Sequence, residues 1–250
     1  MNDEPIMHQT DKEARCAAFR EQMIARWRSE IERIENEIVT LYGSRSIYRR
    51  LFKIVDANPR IQRGNAFYEW LPRNYVFYAS TTLRKLLDND SKVVSLGCLV
   101  QSIRKNGHLI SREWYISEYN CEMGPEWSSP QAHLKWLSAN EDFDKLVGVG
   151  KNTVDGNDLR TRLENIQSLS SLVLEYANKL IAHNDKKMPN KLPTYGHLDK
   201  AIDEVGDFFI YLHVLLNQSS FIKLEPVEEF CWEKLFEEPW IRRPDESSDT

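Results

Sequence analysis

A chain of 250 residues with 41% apolar and 28% charged side chains can bury a substantial core and shows no collagenous, low-complexity or disulfide-rich bias. Its net charge of −5 argues against a protein that coats DNA, because neutralising phosphates calls for a basic surface; nucleic-acid contact would have to come from a local patch. The longest apolar stretch, Val205 to Leu216, is broken by Asp207 and His213 and falls short of the ~20 residues of a membrane span. With Asn2, Asp3 and Glu4 where a secretion leader would be basic, the expectation is a cytoplasmic protein with no membrane segment.

From about Asp11 to Tyr42, Met23, Trp27, Ile31, Ile34, Ile38 and Leu41 recur at steps of three and four, with Arg28, Glu30, Glu32, Arg33, Glu35 and Glu37 between them. That spacing predicts an amphipathic helix capped by Thr10 and ended by Gly43 and Ser44. A short helix is expected over Ile47 to Pro59. Asn65 then caps a helix through Trp70, Tyr75, Ala79, Leu83 and Leu86, which Pro72 should kink or restart. Ser95 opens another, with Leu96, Leu99, Val100 and Ile103 inward and Gly107 as its C-cap.

Ser111 to Gly156 reads as two short helices and loops, punctuated by Pro125, Pro130, Gly148 and Gly150, with Trp114, Trp127 and Trp136 as packing residues. Leu159, Leu163, Ile166, Leu169, Val173, Tyr176 and Leu180 predict one long helix from Asn157 to Asp185. After a polar break, Thr194 caps a final long helix through Leu216. Pro226 to Phe236 suggests a short terminal helix, and Pro239 to Thr250 an exposed tail. No apolar run alternates at period two, so the expected class is all-α: an up-and-down bundle with additional short helices. Its single domain would cover 1–225, with a core of about 15–218, followed by the short helix and tail of 226–250.

Several chemistries lack support. No GxGxxG, GxxxxGKS/T, HExxH or GxSxG string is present. Cys16, Cys98, Cys121 and Cys231 are scattered without a CxxC pair, so they read as reduced thiols; neither a metal site nor a cofactor is expected. The Arg49, Arg50 and Lys53 cluster reads as a solvated helix face, with RNA contact as its functional alternative.

The string from Tyr176 to Asp185 is the most informative. Asn178, Lys179, Ala182, His183 and Asp185 fit the pattern Arg-Asn/Asp-Lys-x-x-Ala-His-x-Asp, in which Ala177 occupies the arginine position. With Leu83 to Asp90, Ser95-Leu96, Ile110 to Arg112 and Thr194 to Asp203 in the same order, the chain resembles the HEPN superfamily, specifically its abortive-infection, AbiU-like branch. The resemblance implies an HEPN-like bundle and a metal-independent endoribonuclease of a defence or toxin–antitoxin system, with RNA as substrate and a site formed across a homodimer. His183 would act as general acid/base, Asn178 and Asp185 as orienting groups, and Lys179 or Arg84 as the phosphate cation, with Lys186 and Lys187 nearby.

Ala177 departs from that pattern, because alanine cannot clamp a phosphate as a guanidinium does. The alternative is a non-catalytic module that dimerises or binds an antitoxin or another defence protein, and an arginine restored at 177 would tell the two apart. His183 can equally be a helix-terminal residue interacting with the dipole. On an ideal α-helix Lys179 lies about 40° from His183 and Asn178 about 140°, so Asn178 joins them only if the helix changes its winding.

Overall fold

The computed structural model describes residues 5–62, 64, 66–119, 129–182, 191–219, 223–226 and 231–237; for 5–11 and 180–182 it describes backbone alone. The spine is α1, Pro5–Ala57, one helix of 53 residues. Its apolar stripe packs as expected: Trp27, Ile31, Ile34, Ile38 and Leu41 are fully buried, and Trp27 Nε1 donates to Ser102 Oγ at 2.8 Å. Two expected boundaries are corrected. Thr10 lies inside α1, which starts at a proline whose fixed φ and missing N–H suit a first helical position. Gly43 and Ser44 do not end it, and the short helix expected from Ile47 is its continuation. A glycine in a helix costs only about 1 kcal/mol, and here packing on both sides outweighs that. Tyr42 is buried against Gly206 and donates to Ile202 O, Arg45 is buried beside it, and a Cβ on Gly43 would lie 3.0 Å from Pro226 Cγ.

The second helix, α2, spans Ala66–Leu86 without a break at Pro72, because Tyr75, Ala79, Leu83 and Leu86 anchor it to the core. Its expected cap, Asn65, lies outside the described residues. Next comes α3, Leu96–Asn106, whose Ser95 Oγ accepts from Cys98 N at 3.1 Å as the sequence predicts. Gly107 is no left-handed cap; its φ is −59°, and it starts a 3-10 turn to Leu109. The next stretch holds α4, Arg112–Glu118, and α5, Pro130–Val147; α5 is 18 residues, longer than expected. Trp114 is buried, Trp136 half-buried, and Trp127 lies outside the described residues.

The predicted long helix from Asn157 is instead three pieces: α6, Gly156–Leu169; α7, Ser171–Tyr176; and a π-helical segment, Ala177–Ala182. The first interruption falls at Ser170, which is fully buried and whose Oγ bonds to no described residue, so the break accompanies packing and not a hydroxyl–backbone bond. Finally, α8 covers Tyr195–Asn217. Thr194 Oγ1 accepts from His197 N at 3.3 Å, and His197 Nδ1 accepts from Thr194 N at 3.1 Å, the capping arrangement expected at Thr194. A 3-10 turn, Trp232–Phe236, stands where the short terminal helix was expected. No strand occurs among the described residues, only one antiparallel bridge between Ser111 and Thr153. The all-α bundle is therefore observed. Among the described residues no helix is long and apolar enough to cross a membrane, and no His, Cys, Asp and Glu cluster could hold a metal ion.

Helices α3 and α6 meet closely at a glycine. A Cβ on Gly156 would lie 2.3 Å from Arg104 Cα and 2.8 Å from Arg104 O, atoms of backbone that cannot swing aside. Gly156→Ala should therefore cost about 3 kcal/mol of stability in urea unfolding. Gly64→Ala, with no atom within 4 Å of the added Cβ, should change it by less than about 0.5 kcal/mol.

Candidate functional site

The motif segment is positioned by two antiparallel rods. Gln167 Nε2 on α6 donates to Leu87 O just past the end of α2 at 3.0 Å. Further along, Val173 and Tyr176 of α7 face Val76 and Ser80 of α2 across a shared cleft, and the π segment also packs on α2. From 167 to 182 is fifteen positions, and fifteen back from 87 is 72, so the π segment ends about level with Pro72.

The winding of that segment changes the helical wheel. A π-helix bonds residue i to i+5, so residues five apart lie nearly above one another. Asn178 and His183 are five apart in sequence, the spacing that α winding separates and π winding brings together. Ala177 is buried, at 1% exposure, so the motif's arginine position faces the bundle interior. Asn178 is exposed. Lys179 is half-exposed, its Nζ 2.6 Å from Glu175 Oε1, so it is an ion-paired cation. That pair sits at the surface and is weak enough for a phosphate to displace the carboxylate. His183, Asp185, Lys186 and Lys187 lie outside the described residues.

Arg84 is not at the motif's level. Three positions before Leu87, it stands level with Ser170, about 18 Å along the rods from residue 182. The cation at the right height is Arg73, which sequence reasoning missed. Arg73 is exposed and makes no ion pair with a described residue. The only advance signal was its place three residues after Trp70 and four before Phe77, on the side of α2 away from Tyr75, Ala79 and Leu83.

The cleft between α2, α7 and the start of α8 holds about 400 Å³ and is lined by Val76, Val173, Tyr176, Leu192, Tyr195 and Leu198, among others. Ser80 lines it too, 1% exposed, and its Oγ has no hydrogen-bond partner. Tyr195 belongs to an aromatic column: Tyr48 and Tyr75 stack at 4.1 Å between centroids, and Tyr48 and Tyr195 at 5.8 Å. Burial pushes the Tyr75 and Tyr48 hydroxyls well above the usual phenol range, the Tyr48 shift being reinforced by a hydrogen bond with Tyr195, so these rings stay neutral. Behind them Arg45 Nη1 meets Asp203 Oδ1 at 2.6 Å and Arg49 Nη2 meets Asp199 Oδ2 at 2.8 Å. Arg50 pairs with Glu233 and lies over the Trp232 ring. Arg49 and Arg50 are therefore structural ties between α1 and the C-terminal third, where a solvated face was expected.

Among its described residues the motif offers an exposed amide, Asn178, and an ion-paired lysine, Lys179. The HEPN AbiU2 family pattern matches residues 24–231. The chain belongs to the HEPN AbiU2 family. Membership puts it among HEPN-type abortive-infection defence proteins. No curated protein and no solved structure matches it.

Burial of Ala177 gives a test of how this HEPN AbiU2 protein departs from the motif. Ala177→Arg would force a guanidinium against α2, and should lower stability by about 2 kcal/mol or more in urea unfolding. Asn178→Arg, on an exposed position, should stay within about 0.5 kcal/mol of the parent.

Proposed function

We propose that this protein is an HEPN-type defence ribonuclease that cleaves RNA without a metal ion, from a site completed in a homodimer. The observation that supports this reading is Arg73, an exposed guanidinium on α2 that makes no ion pair with a described residue and lies near the level at which the described motif segment ends; in this reading it is the cation that Ala177 cannot be. In the proposed reaction His183 takes the proton from a ribose 2′-hydroxyl. The 2′-oxygen attacks the adjacent phosphorus, the bond from phosphorus to the 5′-oxygen breaks, and that oxygen leaves with a proton from the acid. The products are a 2′,3′-cyclic phosphate and a 5′-hydroxyl end. The partner subunit's His183 provides the second proton-transfer group, since one imidazole cannot be base and acid in the same step. Arg73 and Lys179 neutralise the charge that builds on the phosphoryl oxygens, while Asn178 and Asp185 orient the imidazole. Lys186 and Lys187 add positive charge around the strand.

The second reading, a non-catalytic module that binds an antitoxin or another defence protein, is favoured by one observation. The arginine position of the motif is not merely substituted but buried.

Incubation of purified protein with total RNA in excess EDTA separates the readings. The nuclease reading expects fragments with cyclic-phosphate and 5′-hydroxyl ends. It also expects a loss of about 100-fold or more in rate for His183→Ala and about 10-fold or more for Arg73→Ala. RNA left equally intact by the parent and His183→Ala sinks it.

A further inference from the structure

We infer that the outer face of α2 is a platform for single-stranded RNA, on which Trp70 and Phe77 stack bases and Arg73 and Arg84 hold the phosphate backbone. The inference rests on the proposed nuclease reading and says how the substrate reaches that site.

Residues 70, 73, 77 and 84 fall within roughly 60° of one another around a helix and span about 21 Å along it. Trp70 and Phe77 point away from the buried stripe of Tyr75, Ala79, Leu83 and Leu86, while Arg73 and the half-exposed Arg84 lie toward the edge of that face where Ser80 is buried. Trp70 is 57% exposed and Phe77 52%, an unusual outlay of aromatic surface for one helix. Phe67, 49% exposed, extends the ring surface beyond Trp70 at 6.3 Å between centroids, the planes 22° apart. Flat exposed rings offer what an unpaired base needs, and each stacked base adds affinity with little dependence on sequence.

Charge selects the occupant. Between Glu69 and Asp88, α2 carries Arg73, Arg84 and Lys85 and no acidic residue, in a chain whose net charge is −5. Glu37 holds Lys85, whereas Arg73 and Arg84 pair with no described residue. A second copy of the chain laid on this face would set these cations against their own kind with no carboxylate among them to offset the repulsion. A polyanion meets no such conflict. Duplex nucleic acid keeps its bases inside the helix, so the exposed rings favour a single strand. Arg73 lies near the level at which the described motif segment ends, and Arg84 about 16 Å further along the same helix.

The test is fluorescence anisotropy of a 5′-labelled twelve-nucleotide polyuridine RNA, with every variant carried in the His183→Ala background so that cleavage cannot interfere. Trp70→Ala and Phe77→Ala should each weaken binding five-fold or more, and a 12-base-pair RNA duplex should bind far less well than the single strand. Loss of the Arg84 phosphate contact should make the slope of log affinity against log salt shallower by about 0.7 in Arg84→Ala. All substitutions lie on exposed or half-exposed positions, and thermal unfolding within a degree or two of the parent confirms intact folding. Parental affinity in the Trp70→Ala/Phe77→Ala double variant overturns the platform. So does a dimer by light scattering that this double variant turns into a monomer with no RNA bound by either, which assigns the face to self-association. RNA binding lost with the aromatic rings while the parent never cleaves RNA keeps the platform and removes the nuclease. Cleavage that persists undiminished in Trp70→Ala/Phe77→Ala with His183 intact does the reverse.

Discussion

Two helical rods, α2 and the chain of α6, α7 and the π segment, lie antiparallel with one fixed offset. The functional geometry depends on that offset. It is set by the Gln167 to Leu87 hydrogen bond and by the burial of Tyr75, Ala79, Leu83 and Leu86 on one rod and Leu159, Leu163, Ile166 and Val173 on the other. Packed interiors do not slide by fractions of a turn, so the offset is effectively quantised. Behind it, Gly156 lets α6 rest directly on α3, and the stripe of α1 from Ile24 to Leu41 closes the core. At this offset Arg73 lies near the level at which the described motif segment ends, and Arg84 about a dozen residues' length away.

Much of the fold could be read from the chain because it rests on local rules. The steps from Trp27 to Leu41 and from Leu198 to Leu216 forecast the two best-packed helices, and Ser95 and Thr194 cap where a serine and a threonine should. The misreadings have a common origin: tertiary contacts overrode local signals. Gly43 would stop an isolated helix but here makes room for Pro226. Ser170 interrupts a stripe whose apolar period runs on unbroken. The π winding of Ala177–Ala182 leaves no periodic trace, because six residues are too few to show a changed period. The motif's order in the sequence was legible, and family membership follows from it. The cation beside it was not, because Arg73 reaches that level only through the offset between rods.

Charge shows the same division. Counted in the sequence, several basic residues compete for a role at phosphate. In the fold several have partners: Arg45 with Asp203, Arg49 with Asp199, Arg50 with Glu233, Lys85 with Glu37, and Lys179 with Glu175. The exposed members of this set contribute little to stability individually. Others, Lys53, Arg73, Arg84 and Lys105 among them, make no ion pair with a described residue, and Arg73 and Arg84 share one side of α2.

Burial along α1 begins at Ile24, which is also where the family pattern begins, and residues 12–19 are exposed on every side. The helix already runs from Pro5, and residues 12–19 make up about 12 Å of it, roughly two turns whose side chains are all exposed. Turns so little buried rely on intrinsic helicity, which is marginal in water. Their ellipticity should drain away gradually on warming, ahead of the sharp transition of the packed bundle. Circular dichroism and calorimetry on this protein would then report different melting behaviour, one tracing a fraying rod and the other a cooperative core.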